Sequence, residues 1–171
     1  MQLERLLEGL RLKSVVRAGW LRVGIEAPES VADHSWGMVW LVLQLCPAEL
    51  SLERALAIAA LHDLPEVRVG DITPHDGVDK QTKHRMEAAA AADIFAERPD
   101  LLALWQDYVE QRSPEARFVR AVDKLDMALQ ALLYAGSADT REFVASAAGG
   151  AQDPVVKALI EEVWARLDKS T

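Results

Sequence analysis

The sequence has little of several features that are typical of disulfide-bonded, membrane-spanning, secreted or nucleic-acid-binding proteins. Among 171 residues there is one cysteine, Cys46, so no internal disulfide can form, and its apolar neighbours are typical of a small core residue. The apolar runs, such as residues 38–43, are far shorter than the roughly 20 residues that span a bilayer. We therefore expect a protein of a reducing compartment with no membrane partner.

A secretory signal is also missing from the beginning of the sequence. Glu4, Arg5 and Glu8 interrupt the apolar pattern there, whereas a signal needs an uninterrupted apolar stretch. The location expected from this pattern is cytoplasmic.

Positive charge is scarce as well. The chain has 19 Lys and Arg against 27 Asp and Glu, a formal net charge of −8. Binding to a nucleic-acid backbone depends on clustered Lys and Arg, so nucleic acid is not an expected partner. A small anionic substrate would need positive charge supplied locally.

What the sequence does contain is typical of a globular protein. Half of its residues are apolar and 27% are charged. Because domains usually have on the order of 100–200 residues, we expect residues 1–171 to form a single domain.

The apolar residues recur at helical spacing and show no strand-like alternation, which predicts an all-α fold. A first helix would use the stripe Leu3, Leu6, Leu7 and Leu10. Start and stop signals predict further helices at 30–47, 51 to 63, 79 to 98, a short one from 99, 113 to 134, and 153 to 168. Segments 15–29 and 67–78 are expected to be loops.

The pair His62-Asp63 ends an apolar helix, ALAIAALHD. A charged aspartate is expensive there unless a partner neutralises it. A metal ion is one such partner, and a His–Asp hydrogen bond at the helix end is the structural alternative.

Two other helices carry polar groups next to their core faces. His34 follows Val31 by three residues and precedes Met38 by four, so it shares their face, and Asp123 borders an apolar stripe with Asp126. Taken singly, His34 is typical of a satisfied core histidine and Asp123 of a salt-bridge partner. A divalent cation would satisfy all of these groups together. Two imidazoles and two carboxylates suit manganese, cobalt, nickel, iron or zinc.

The order His34, His62-Asp63, Asp123 resembles the H…HD…D signature of the HD superfamily. The segments RAGWLRVGIEAPESVADHSW, LHDLPEVRVGDITP and RFVRAVDKLDMALQA resemble its 5′-deoxynucleotidase branch, the bacterial YfbR type and its eukaryotic relatives. The resemblance covers about residues 12–133, followed by a C-terminal helix at about 153–168. It implies a helical HD-domain bundle whose metal site lies between core helices.

The resemblance also implies roles for individual residues. It makes His34, His62, Asp63 and Asp123 the ligands of one divalent metal ion, and a homodimer the expected assembly. Arg17 would bind the substrate phosphate and Trp20 would shape the sugar pocket. Glu66 and Asp71 would act as polar groups beside the scissile bond. In the bacterial type an Arg directly precedes the Trp, whereas here Ala18 and Gly19 intervene, as in the eukaryotic relatives.

The residues themselves leave alternatives open at several of these positions. Glu66 could serve as general acid or base, or be a solvated loop acid, and Asp71 could be a turn residue or cap. Arg17 has the planar fork that binds phosphate, but surface arginines are common.

Further charged and imidazole groups follow the His-Asp pair. Lys80 and Lys83 could add positive charge near the site or lie on a solvated helix face. His75 and His84 raise the possibility of a second metal, which the resemblance to one-metal relatives disfavours.

The function expected is hydrolysis of a nucleoside 5′-monophosphate, a small-molecule substrate, with release of phosphate. The alternatives are a phosphohydrolase of another small phosphate, such as an alarmone or a cyclic nucleotide, a non-catalytic nucleotide-binding regulator, and a helical interaction module with a purely structural metal.

Overall fold

A computed structural model describes residues 2–169, and within them the chain is helical with no β-strand, which confirms the all-α prediction. A single 3-10 turn, Arg11–Ser14, follows the first helix. The helices are α1 (Gln2–Leu10), α2 (Ala18–Arg22), α3 (Val31–Leu45), α4 (Leu52–Leu61), α5 (Glu66–Val69), α6 (Lys80–Ile94), α7 (Pro99–Glu110), α8 (Pro114–Tyr134), α9 (Arg141–Gly150) and α10 (Pro154–Leu167).

Side chains cap the helices at the predicted start signals. Ser30 and Asp33 form a reciprocal capping box at the beginning of α3, in which each side chain accepts a hydrogen bond from the other residue's backbone N–H. Oxygen atoms of Ser51, Asp79, Ser113 and Asp153 accept from the first turns of α4, α6, α8 and α10. The local sequence therefore determines where these five helices begin.

Three helices lie where the sequence predicted either a loop or no element at all. The short helices α2 and α5 fall in or beside the segments expected to be loops, and α9 has no counterpart among the predicted helices. In α9 the buried residues Val144 and Ala147 pack into the same cluster as α8 and α10. Such short elements depend on tertiary packing, which local periodicity does not report.

The prediction that α1 uses its leucine stripe for packing is wrong. All four leucines of the stripe are largely exposed, with Leu6 at 61%. The opposite, polar side of α1 contacts the body instead, through ion pairs from Arg5 to Glu97 and from Glu8 to Arg68. Within residues 2–169 no element covers the apolar stripe.

The core is arranged around α8. One face of α8 packs with α3 and α4 through Met38, Ile58 and Val122, and another packs with α9 and α10 through Leu125 and other apolar residues. Cys46 is half-buried at the edge of the first of these clusters. Because α3, α4 and α8 meet in the interior, their polar residues also meet there.

Crossing a bilayer requires a helix that is both long and apolar. None of the helices in the described range meets both conditions.

Candidate metal centre

The end of α4 places His62 with one nitrogen turned into the interior. Its ring Nδ1 lies 2.8 Å from the carbonyl oxygen of Ala59, so Nδ1–H donates to the last turn of the helix and Nε2 is left free. The indole N–H of Trp105 donates to the carbonyl oxygen of His62 at 3.1 Å, which satisfies a backbone group that the ending helix leaves unpaired. His62 is buried.

His34 reaches the same place from α3. It is fully buried one turn after the capping box, and its Nε2 lies 3.2 Å from Nε2 of His62. Its Nδ1 lies 2.6 Å from Oδ2 of Asp126 on α8. Burial and Arg17 disfavour the imidazolium, but hydrogen bonds to Asp123 and Asp126 outweigh them and raise the pKa of His34 to about 9.

Two carboxylates complete the arrangement. Asp63 Oδ2 lies 3.0 Å from His62 Nε2 and 3.6 Å from His34 Nε2, and Asp123 Oδ1 lies 3.5 Å from His34 Nε2. Burial opposes ionisation of Asp63, but the adjoining His62 and His34 outweigh it and hold the pKa of Asp63 well below its usual range. Asp63 is therefore an anion at neutral pH.

Asp123 is held by a chain of hydrogen bonds that the sequence did not reveal. The hydroxyl of Tyr108 donates to Asp123 Oδ2 at 3.2 Å, and Arg120 Nη1 donates to the Tyr108 oxygen at 3.0 Å. Lys124 lies 3.6 Å from the same carboxylate. Burial raises the pKa of Asp123, but the hydrogen bond from His34 and the charge of Lys124 outweigh it, so the pKa is lowered well below the usual value.

The donor set fits a divalent cation. One ligand atom from each of His34, His62 and Asp123 lies within 4.8 Å of the others, and Asp63 adjoins the two imidazoles. A cation bound here would take the place of the proton that the raised pKa of His34 implies, and with each Nδ1–H donated to its own acceptor both Nε2 lone pairs would be available to the ion. Two imidazoles with two carboxylates are a common ligand set for such ions.

Glu66 begins α5 beside this cluster and is buried. Its Oε2 has no hydrogen-bond partner among the described residues, and its Oε1 lies 3.9 Å from Lys83 Nζ. Burial raises the pKa of Glu66 to about 10, and the nearby charges of Asp63 and Asp71 act in the same direction. A carboxyl in this environment holds its proton at neutral pH.

Arg17 and Asp71 lie together at the rim. Arg17 Nη1 is 3.9 Å from Asp63 Oδ2, and its Nε is 3.8 Å from Glu29 Oε1. Asp71 Oδ2 accepts a 2.7 Å hydrogen bond from the backbone N–H of Ala18, the first residue of α2. Asp71 thus ties its loop to the first residue of α2, the helix that follows Arg17.

Trp20 lies deeper than its expected role suggests, because only 1% of it is exposed. Its indole N–H donates to Glu29 Oε1 at 2.9 Å, and its ring packs on Tyr134 and Phe143 with centroids 5.3 and 4.1 Å away. Trp20 is a core residue that also borders the cavity described below, beside Phe143.

An open cavity of about 640 Å³ adjoins the cluster. Its lining includes Arg17, Asp63, Glu66, Asp71 and Asp123. The lining also includes the side chains whose roles the sequence left open: Lys80, Lys83, His75 and His84, the two histidines being exposed. Lys83 donates to the carbonyl oxygen of Ile72 at 2.8 Å and pairs with Glu87 at 3.5 Å.

The pattern of the HD domain family matches residues 10–164. The chain belongs to the HD-domain family. This confirms the superfamily that the order of His34, His62-Asp63 and Asp123 resembles. HD-domain phosphohydrolases are metal-dependent, in agreement with the cluster of donors described above.

This HD-domain chain has named relatives of similar length. It is 38% identical over 166 residues to the 5′-deoxynucleotidase hdd1 of Schizosaccharomyces pombe, with 90% of this chain and 83% of that protein covered. It is 35% identical over 164 residues to the human 5′-deoxynucleotidase HDDC2, with 91% and 80% covered.

Solved structures show the same fold. The PH0347 protein from Pyrococcus horikoshii OT3 is 33% identical, with a TM-score of 0.79 and 99% of each chain covered. A conserved hypothetical protein from Pyrococcus furiosus has the same TM-score at 31% identity, covering 94% of this chain and 98% of that one.

Proposed function

We propose that this HD-domain chain is a metal-dependent 5′-deoxynucleotidase, which hydrolyses (deoxy)nucleoside 5′-monophosphates to a nucleoside and inorganic phosphate. The observation that carries the proposal is the convergence of His34, His62, Asp63 and Asp123 beside a cavity that is lined by one half-buried arginine and one buried carboxyl. The names of the relatives support the substrate class.

The four converging residues would hold one divalent ion of manganese, cobalt, nickel, iron or zinc. Such an ion supplies Lewis acidity to a phosphoryl oxygen and to the attacking water. The hydrogen bond from Tyr108 and the charge of Lys124 keep Asp123 oriented and anionic for this role.

Arg17 would bind the phosphate. Its guanidinium lies 3.9 Å from Asp63, and only 14% of its side chain is exposed, which limits the directions in which it can point. A planar fork of N–H donors pairs with two phosphate oxygens at once, and it offsets charge that the net −8 of the chain cannot. Asp71, through its bond to Ala18, would hold α2 and hence Arg17 in place.

Glu66 would transfer the proton in the reaction. Because burial keeps its carboxyl protonated near neutral pH, the role that fits is general acid, donating to the departing 5′-oxygen of the nucleoside. Trp20 would shape the sugar pocket, since it borders the cavity and packs against Phe143 on the cavity wall.

The assembly that we propose is a homodimer. The leucine stripe of α1 is uncovered, and Trp36, Trp40 and Leu43 on α3 are exposed as well. Exposed apolar patches commonly mark protein–protein interfaces. Light scattering should give twice the mass of one chain, and Leu6→Glu should shift it toward the monomer. The cytoplasmic location expected from the sequence remains a prediction.

A phosphate-release screen tests the proposed activity. Metal-stripped protein would be assayed with each deoxynucleoside and nucleoside 5′-monophosphate in turn, each with Mn²⁺, Co²⁺, Ni²⁺, Fe²⁺ or Zn²⁺. We expect release from the 5′-monophosphates with at least one metal. Release only from an alarmone or a cyclic nucleotide, or tight binding without turnover, would overturn the proposal.

A further inference from the structure

His34 uses both of its ring nitrogens. Nε2 faces the donor cluster, 3.2 Å from His62, while Nδ1 lies 2.6 Å from Oδ2 of Asp126. Both His34 and Asp126 are buried, so the contact is shielded from water. As a metal ligand His34 would be neutral and carry one N–H, and a carboxylate at Nδ1 keeps that proton there. The lone pair is then on Nε2, the atom that faces the cluster.

The space for this carboxylate exists because residue 37 has no side chain. Gly37 lies three residues after His34 on α3, and a Cβ built there would be 2.2 Å from Oδ1 of Asp126 and 3.2 Å from its Cγ. Real Cβ atoms do not approach oxygen so closely, so any other residue at 37 would push the carboxylate away from its present position. A glycine in the interior of a long helix is otherwise unfavourable.

We infer that Asp126 is a positioning residue for the metal centre, holding the Nε2 of His34 toward the ion, and that Gly37 is the opening that lets the Asp126 carboxylate reach His34. Neither residue belongs to the ligand set proposed above. The inference rests on the ligand set proposed above, in which His34 is a ligand. Carboxylates behind metal-bound histidines commonly fix the ring and its tautomer in this manner.

The test is calorimetric titration of metal-stripped protein with Co²⁺. Asp126→Ala removes the acceptor and should weaken Co²⁺ binding by roughly 10–100-fold, the range typical of such partners. Asp126→Asn keeps an oxygen that can accept from Nδ1–H and should recover part of the affinity. A role of Asp126 in packing alone would not make Co²⁺ affinity follow the acceptor in this order.

Gly37→Ala tests the second half of the inference without altering a polar group. It should weaken Co²⁺ binding as Asp126→Ala does, while the double variant should be no weaker than Asp126→Ala alone, since the clash no longer exists. Gly149→Ala is the matched control, because Gly149 lies in helix α9 and a Cβ added there would meet nothing within 4 Å. It should bind Co²⁺ like the wild type.

Two outcomes would contradict the inference in distinguishable ways. If His34→Ala also binds Co²⁺ with wild-type affinity, the ligand set is wrong and the inference fails with it. If His34→Ala loses Co²⁺ but folded Asp126→Ala or folded Gly37→Ala binds it as the wild type does, the ligand set stands and the positioning role is wrong. Should Asp126→Ala not fold, Asp126→Asn and Gly37→Ala decide the question in the same way.

Discussion

The buried carboxyl of Glu66 should make the free energy of unfolding of the metal-free protein depend on pH. Its contribution should fall as pH rises. Glu66 ionises near 4.5 in the unfolded chain, while burial and two neighbouring aspartates raise its folded pKa to about 10. Between these values the folded state holds one proton more than the unfolded state, so each pH unit costs the folded state about 1.4 kcal/mol. The stabilising contribution is complete below pH 4.5 and is progressively lost above it.

Glu66→Gln removes this dependence, because the amide resembles the protonated acid and does not ionise. The interval from pH 4.5 to 7 is about 2.5 units, so the variant should exceed the wild type by roughly 3 kcal/mol at pH 7 and by nothing near pH 4. Urea unfolding in a chelator at pH 4, 5, 6, 7 and 8 measures the difference. Glu49→Gln, a change at an exposed position, is the control. A difference that stays flat from pH 5 to 8 would show that Glu66 is ionised in the folded protein and refute the reasoning.

Two further predictions concern binding and stability. Arg17→Ala should raise the KM for a deoxynucleoside monophosphate markedly, and Arg17→Lys should recover only part of it, because lysine cannot pair bidentately; equal KM values in steady-state assays would rule out the phosphate role. Asp107 accepts hydrogen bonds from Arg54 and from the backbone and hydroxyl of Ser113, at 2.5, 2.8 and 2.6 Å, so Asp107→Ala should lower the free energy of unfolding by about 2 kcal/mol at pH 7. Burial opposes the ionisation of Asp107, but these bonds outweigh it and lower its pKa. The contribution of Asp107 to the free energy of unfolding is therefore present above pH about 4 and shrinks below it. A loss in Asp107→Ala that stayed constant down to pH 2 would contradict this account.

The parts of the fold that sequence predicted well are those with a local cause. Ser30 and the Ser113-Pro114 pair place the beginnings of α3 and α8 where the structure has them, because caps act within one helical turn. The inward face of α3 was also readable, since Val31, His34 and Met38 follow helical spacing and are all buried.

The remaining features depend on which helices pack against each other. The periodicity of apolar residues along the sequence does not contain that information. The leucine stripe of α1 has the pattern of a buried face but is exposed, because the polar side of that helix is the side held by ion pairs. Trp20 gave no sign in the sequence that it lies in the core.

The candidate site was readable only in part for the same reason. Asp126 stood out as a polar residue beside an apolar stripe, but its partner lies 92 residues away in the chain. The sequence did not indicate that Tyr108 belongs to the site, because a tyrosine in an apolar helix is typical of a core residue. The short spacing between Glu66 and Asp63 was the signal that a second acid lies near the pair.

The central claim is that His62 and Asp63 hold the metal ion on which phosphate release depends, and one measurement tests it most directly. Metal content and deoxynucleoside monophosphate turnover would be measured together on purified wild type, His62→Ala, Asp63→Ala and, as a control for metal content, the exposed-histidine variant His84→Ala. The account predicts one metal ion per chain in the wild type and in His84→Ala, and the loss of both metal and turnover in the other two, since each lacks one of only four ligands. Full metal content in folded His62→Ala or Asp63→Ala would contradict it.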